Sequence, residues 1–268
     1  MDKKKFIKQI NITRIKDNKK TVIQEKIIDE EILEILINKT RTFQMVLLMT
    51  HTRALAAGFL FTQGIIHKKT DLQAIKVIKE KKQCHITLND RAIERLNQFK
   101  KGSHIKGSSG GILLQAERES VSTGTGKAFG ITYDQVLSLL QMHREKSELF
   151  HETGAVHSAA LCDPSKVLLY YEDIGRHNAL DKLAGDILLK EIDTSDKIAT
   201  VSCRISIEII GKIIRTGIPV VISNAAPTFS AIKLAEKSGV TMVGFARNNR
   251  FNIYTHGKRI KDSEHHSK

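Results

Sequence analysis

The residues best able to do chemistry gather in one run, Glu172 to Lys182, which reads EDIGRHNALDK. Within it Glu172, Asp173, Arg176 and His177 form a polar turn between two apolar segments. Before the turn, Val167-Leu168-Leu169-Tyr170-Tyr171 has the pattern of a short buried strand. After it, Ala179, Leu180, Leu183, Ala184, Ile187 and Leu188 recur at three and four, as on the inner face of a helix. This spacing predicts Asn178 as the N-cap and Asp181 as the acidic partner of a capping box. A helix start leaves backbone N–H groups unpaired and carries the positive dipole end, and Arg176 adds a full charge. The turn can therefore hold an anion. The simpler alternative is a charged turn whose residues only cap and solvate.

Nucleophilic chemistry would fall to three cysteines, Cys84, Cys162 and Cys203. Their odd number, wide spacing and lack of a CxxC pair exclude a disulfide framework and a zinc ribbon. Cys84 and Cys162 lie in predicted strands and read as packing residues. Cys203 lies in a turn just before a helix start, where a thiolate would be stabilised. Its plainer role is a small buried residue.

The elements that must position these groups follow a repeated order of strand, polar turn and helix. Ser158 to Cys162 and the strand ending at Tyr171 are joined by Asp163-Pro164-Ser165, an antiparallel hairpin. Then come the strand Ile198 to Ser202 with the helix Ile207 to Arg215, and the strand Val220 to Ile222 with the helix Thr228 to Lys237. Gly217 with Pro219, and Gly239, supply the stop signals. Val240 to Val243 leads to Gly244–Arg250, with Phe251 to Tyr254 as a return strand. Alternation of this kind implies a largely parallel sheet with crossover helices. Ligands of such sheets sit beyond the carboxyl ends of the strands. The turns converging there carry Arg176, His177, Arg204, Ser223, Asn224, Arg247 and Arg250. Arginine forks match phosphate oxygens two at a time, although Glu172, Asp173 and Glu208 are available to neutralise them.

The N-terminal half reads as a smaller α+β unit. Strands are predicted over Thr21 to Ile28, Ile32 to Ile37 and Phe43 to Met49, with Asn38-Lys39 as a turn. A helix should begin near Thr50 or Thr52 and bury Leu55, Ala56, Phe59 and Leu60. A strand pair over Ala74 to Ile78 and His85 to Leu88 and a short helix over Arg91 to Phe99 complete it. Residues 100–130 break the pattern with Lys106-Gly107-Ser108-Ser109-Gly110-Gly111 and Thr123-Gly124-Thr125-Gly126, a loop of functional length. Thr132 with Gln135 then forms a capping box for a helix from Tyr133 to about Phe150. The expected organisation is 1–105 as an N-terminal domain, 106–130 as a mobile loop, and 131–268 as an α/β domain.

Composition narrows the classes of partner. The chain has 268 residues with 41% hydrophobic and 27% charged, ordinary for a globular protein with a sizeable core. Aromatics are 5% and Trp is absent, so rows of rings stacking on bases are excluded. A net charge of +14 and a pI near 9.6 point to an anionic partner. No run is long and apolar enough to span a bilayer, and no signal-peptide core follows the basic start. The expectation is a reduced, cytoplasmic protein.

Several of these segments resemble one family. Thr153-Gly154-Ala155-Val156-His157, EDIGRHNALDK at 172–182, VSCRISIEI at 201–209, AAPT at 225–228 and GFARNNRFNIYTH at 244–256 resemble the formate dehydrogenase accessory proteins of the FdhD/NarQ type. Leu55-Ala56-Ala57-Gly58-Phe59-Leu60 and Gly64-Ile65-Ile66 extend the likeness to the N-terminal half. The resemblance implies a larger domain with a three-layer cytidine-deaminase-like fold, without that fold's zinc signature. It implies a cytoplasmic homodimer that takes persulfide sulfur from a cysteine desulfurase. The sulfur passes to the molybdenum or tungsten bis(molybdopterin guanine dinucleotide) cofactor of formate dehydrogenase, and guanine nucleotides can stand in for that ligand. The family's cofactor-binding run falls on Phe245, Ala246, Arg247, Asn248, Asn249 and Arg250, beside Arg176, His177 and Arg204. No metal ligands are implied.

One departure bears on mechanism. The family's C-G-x-C-G motif, whose first cysteine holds the persulfide, is replaced here by Gly107-Ser108-Ser109-Gly110-Gly111-Ile112. Ser109 stands near the nucleophile's position, and a hydroxyl cannot carry transferable sulfur. Lesser departures are Gln63, Ala155 and Cys203 where the family favours Glu, Gly and Gly. A carrier that binds the cofactor without handling sulfur is the alternative. Nucleic-acid binding, which the charge would permit, is disfavoured by scattered Lys residues and the lack of a recognition helix or aromatic platform.

Overall fold

Apolar alternation and turn chemistry account for the N-terminal strands. A computed structural model describes residues 3–102 and 129–262. Strands β1 (Ile7–Lys16) and β2 (Lys19–Ile28) form an antiparallel hairpin, its turn made by Asp17 and Asn18 at positive φ. Strands β3 (Glu31–Ile37) and β4 (Thr40–Leu47) turn at Asn38 and Lys39, again both at positive φ. Helix α1 (Thr52–Thr62) follows, then β5 (Leu72–Ile78), β6 (Gln83–Leu88) and α2 (Asp90–Gly102). The four strands β3 to β6 make one sheet in the order β4-β3-β6-β5. Leu33, Ile35 and Ile37 alternate inward onto Leu55, Leu60, Ile86 and Leu96 to form its core.

The C-terminal part is an α/β fold in three layers. Its elements are β7 (Ile131–Thr132), α3 (Tyr133–Glu145), α4 (Glu148–Thr153), β8 (His157–Cys162) and β9 (Val167–Asp173). They continue with α5 (Arg176–Lys190), β10 (Ile198–Val201), α6 (Ile207–Thr216), β11 (Val220–Ser223) and α7 (Phe229–Lys237). Strands β12 (Thr241–Arg247), β13 (Arg250–Thr255) and β14 (Ile260–Lys261) end the chain, β14 pairing with β7. The main sheet has the order β13-β12-β11-β10-β8-β9. One face packs on α5, α6 and α7 through Ala199, Val201, Val221 and Met242, the other on α3 through Ala160, Ile198, Val220 and Ile222.

Three expectations need correction. Within the main sheet, parallel pairing is confined to β10, β11 and β12, because hairpins flank this trio on both sides. The helix expected from Tyr133 to about Phe150 is two helices. Ser147 bonds to His143 O and Tyr170 OH at the break, and the Glu172 carboxylate accepts from Leu149 and Phe150 N–H to start the second. The helix after EDIG begins earlier than expected: Gly175 is its N-cap, and Asn178 lies inside its first turn. Asn178 Nδ2 instead donates to Asp173 Oδ1 and Val46 O, and Asp181 faces Lys212 rather than a backbone N–H.

Helix α5 is the central element, buried almost all round. Its predicted apolar face meets the sheet, while Asn178, Asp181, Lys182 and Gly185 meet the N-terminal elements. Gly58 of α1 and Gly185 of α5 let the two backbones touch: a Cβ on Gly58 would fall 1.8 Å from Asp181 O. Two buried ion pairs lock this contact. Lys182 Nζ lies 2.7 Å from Asp173 Oδ2 and donates to Leu48 O, Thr50 Oγ1 and Glu172 O. Lys212 Nζ donates to both Asp181 oxygens at 2.6 Å, and Thr62 donates to Oδ1.

Candidate functional site at the carboxyl edge of the sheet

Strands β9, β10, β11 and β12 point the same way, since β10 to β12 are parallel and β9 is two antiparallel steps from β10. Their carboxyl ends therefore share one edge, where β8 and β13 begin. Each turn there is fixed by its own hydrogen bonds. Asp173 Oδ1 accepts from Gly175 N, which sets Arg176 as the first residue of α5. Ser206 caps α6 and Thr228 caps α7, each accepting from the backbone N–H three residues on. Ile205 N donates to Ala226 O and Thr228 N to Ile205 O, stapling the second turn to the third. Phe245 N donates to Ala225 O, tying in the fourth.

The β12–β13 turn carries a distortion. The ladder shifts register between Gly244 and Arg247, and Phe245 sits at φ +51. For a bulky side chain that conformation costs roughly 1–2 kcal/mol and marks a constrained position. Asn248 and Asn249, both at positive φ, close the hairpin. This sets Arg247 and Arg250 directly opposite each other, an unfavourable like-charge pair until an anion lies between them. The Arg247 guanidinium lies 5.9 Å from the Phe245 ring centre. Among the described residues, no ion pair involves Arg204, Arg247 or Arg250.

Four buried side-chain atoms of the described residues lack a hydrogen-bond partner: Gln63 Oε1, Asn224 Oδ1 and both ring nitrogens of His177. Three of the four belong to this edge. Burial, then the charges of Lys212 and Arg176 and the His157 ring, hold His177 down to about 3, so the imidazole is neutral. Arginine forks at the lip and orphaned polar atoms behind them can bind a polar, anionic ligand.

A model of the FdhD/NarQ family matches residues 28–261. The chain belongs to that family. It is 35% identical over 259 residues to the sulfur carrier protein FdhD of Wolinella succinogenes, covering 96% of this chain and 90% of the relative. The Bacillus subtilis protein of the same name is 32% identical over 256 residues, covering 94% and 97%. The crystal structure of a proposed formate dehydrogenase accessory protein from Desulfotalea psychrophila superposes with a TM-score of 0.80, covering 96% of this chain and 100% of that one. At 23% identity that likeness shows the fold.

Of the residues expected at the family's site, the fold brings Arg176, His177, Arg204, Phe245, Ala246, Arg247, Asn248, Asn249 and Arg250 to one edge, with Ala246 buried beneath it. Glu172 and Asp173 do not join them: one starts α4 and the other pairs with Lys182. Ser109 and most of the 106–130 segment lie outside the described residues. Sequence reading named His157, which opens β8 at this edge, only within the family-like run 153–157 and not as a site residue, and treated Glu208 only as a neutraliser of arginine. Glu208 instead sits with Oε2 3.1 Å from His177 Nε2. Its place as second residue after the Ser206 cap was the available signal.

All three cysteines are buried. Burial pushes Cys84 and Cys162 up to about 12 and Cys203 to about 11, the last despite Arg176 and Arg204 nearby. A thiol so placed is neither exposed nor ionised at neutral pH.

Proposed function

We propose that this chain binds the bis(molybdopterin guanine dinucleotide) form of the molybdenum or tungsten cofactor at the carboxyl edge of its main sheet. There it supports sulfuration of that cargo, with sulfur from a cysteine desulfurase, on the way to formate dehydrogenase. The observation that carries the reading is the lip of Arg176, Arg204, Arg247 and Arg250 with unpartnered polar atoms behind it. Family membership and relatives named sulfur carrier proteins support the same role. The arginines would hold phosphates through paired N–H donors, and the Phe245 ring offers a flat face beside them. The cytoplasmic setting and homodimer implied by the family complete the reading.

GDP titrated into the full chain tests it. Replacing both Arg247 and Arg250 by Ala should weaken GDP at least about tenfold, roughly the loss of one charged hydrogen bond. Unchanged affinity would remove the site. Function is scored by expressing the chain in a strain lacking its own accessory protein and measuring formate dehydrogenase activity.

A specific observation favours a second reading, a carrier of the cofactor that handles no sulfur. Ser109 replaces the family's nucleophile, and no cysteine of this chain is exposed. Incubation with a cysteine desulfurase, cysteine and a persulfide label separates the two. Labelling of a cysteine supports transfer, and labelling of none leaves the carrier.

A further inference from the structure

The ribbon of β1 and β2 ends where the stretch matched by the family model begins, at Ile28. It forms a sheet of its own, apart from the one that carries the arginines. Ile7 and Ile28 at its foot pack with Phe6, Leu149 and Val156, and Lys26 pairs with Glu152 of α4. Above the foot, large apolar side chains stand in water: Val22 is 71% exposed, Ile15 65%, Ile10 49% and Ile27 40%. A lone two-stranded ribbon is marginally stable, and free edges are ordinarily guarded by charge rather than by isoleucine. Exposed apolar groups gathered in this way mark an interaction surface.

Register sorts these side chains onto faces, because directly opposed residues share one. One face carries Ile10, Ile12, Ile23 and Ile27 as a continuous stripe, with Lys8 toward the foot and Arg14 and Lys16 toward the turn. Lys8 reaches Asp29 only at 3.6 Å and Arg14 pairs with Glu25, whereas Lys16 has no carboxylate partner among the described residues. The two strands and their turn hold six Lys and Arg against two carboxylates, Asp17 and Glu25.

The backbone of β1 adds a second feature. The two-residue turn at Asp17 and Asn18 closes on Lys16 and Lys19, so that pair exchanges ladder hydrogen bonds, as does every second residue back along β1. Gln9, Asn11, Thr13 and Ile15 therefore direct their N–H and C=O away from β2, toward an edge where no described strand pairs. Such an edge is a template for one more strand. We propose that β1 takes a strand from a partner protein, an extended segment with two apolar residues at its centre and acidic residues toward its ends. Added antiparallel, the side of that segment over the stripe reads acidic-x-acidic-x-apolar-x-apolar-x-acidic, opposite Lys16, Arg14, Ile12, Ile10 and Lys8. A second copy of this chain fits badly, because two such ribbons bring their cations together. A bilayer fits badly too, since the tip that enters first is Lys16-Asp17-Asn18-Lys19. A nucleic acid leaves the isoleucine stripe against phosphates. The surface acts independently of any ligand at the arginine lip.

Fluorescence anisotropy of the full chain with the capped, fluorescein-labelled peptide Glu-Thr-Glu-Thr-Val-Thr-Val-Thr-Glu tests it at low salt. Wild type should bind this peptide at least about tenfold more tightly than versions with Ser for Val or Lys for Glu. Its affinity should fall as salt rises. Asn11→Pro removes an outward N–H and leaves the β1–β2 ladder whole, so it should weaken the peptide at least about tenfold. Ile10→Thr keeps a β-branched residue on the stripe and should weaken it about three- to tenfold. Unchanged melting temperatures show that the variants are folded; where Asn11→Pro melts early, Ile10→Thr decides. Wild-type affinity weaker than about 1 mM overturns the proposal, as does equal binding of the Lys peptide or wild-type affinity in both variants. Tight binding to phosphatidylglycerol vesicles or random duplex DNA, with the peptide left unbound, also overturns it and assigns the ribbon to that surface.

Discussion

His143 illustrates how far a single side chain departs from its sequence context. From the sequence it is one polar position near the end of a helix. In the fold it is buried, with Nδ1 2.6 Å from Thr200 Oγ1, Nε2 2.7 Å from Ser158 Oγ and the ring edge-on to Tyr170. Burial pushes it down to about 4. The unfolded chain binds a proton near pH 6.5 that the folded chain refuses, so stability is full above that pH and is lost as pH falls toward 4. The span is worth about 3 kcal/mol at about 1.4 kcal/mol per pH unit. His177, held down to about 3, acts in the same direction. Urea unfolding at pH 7.5, 5.5 and 4.5 should show this decline, and His143→Gln should make it shallower. Equal pH slopes for the two proteins would contradict the assignment.

At the level of elements, the contact between α1 and α5 carries the most constraint. A Cβ on Gly185 would lie 1.8 Å from Ala54 O, a backbone atom that cannot swing away. Gly185→Ala should therefore cost about 3 kcal/mol or more, or prevent folding, as overpacking does where the backbone must shift. Gly211, inside α6, has nothing within 4 Å of its would-be Cβ. Gly211→Ala should raise stability by up to about 1 kcal/mol, the helix preference of Ala over Gly. Thermal melting of the two variants checks the pair, and similar effects from both would refute this account of the crossing. The apolar stripe of α5 was legible because period 3.6 is a local pattern. Its polar side was not: Asp181 and Lys182 look solvated in sequence, and their partners Thr62, Leu48, Thr50 and Lys212 lie 31 to 134 positions away.

For the whole molecule, burial of every cysteine makes a direct prediction. Thiol reagent at pH 7.5 should label native protein slowly and all three cysteines once guanidinium unfolds it. Rapid native labelling of Cys203 would reopen it as a substitute nucleophile. Among the described residues no helix is long and apolar enough to cross a membrane. The sequence by itself determined most strands and helices of the C-terminal half, though not the break between α3 and α4 or the start of α5, and also that their turns are rich in arginine and which family the chain resembles. These follow from local spacing, capping and motif, all carried by neighbouring residues. Only the tertiary structure decided that parallel pairing in the main sheet stops at three strands, that Asp173 belongs to Lys182, and that Glu208 meets His177. Those outcomes depend on which groups lose their water and which partner reaches them across the fold, and neither can be read from neighbours in the chain.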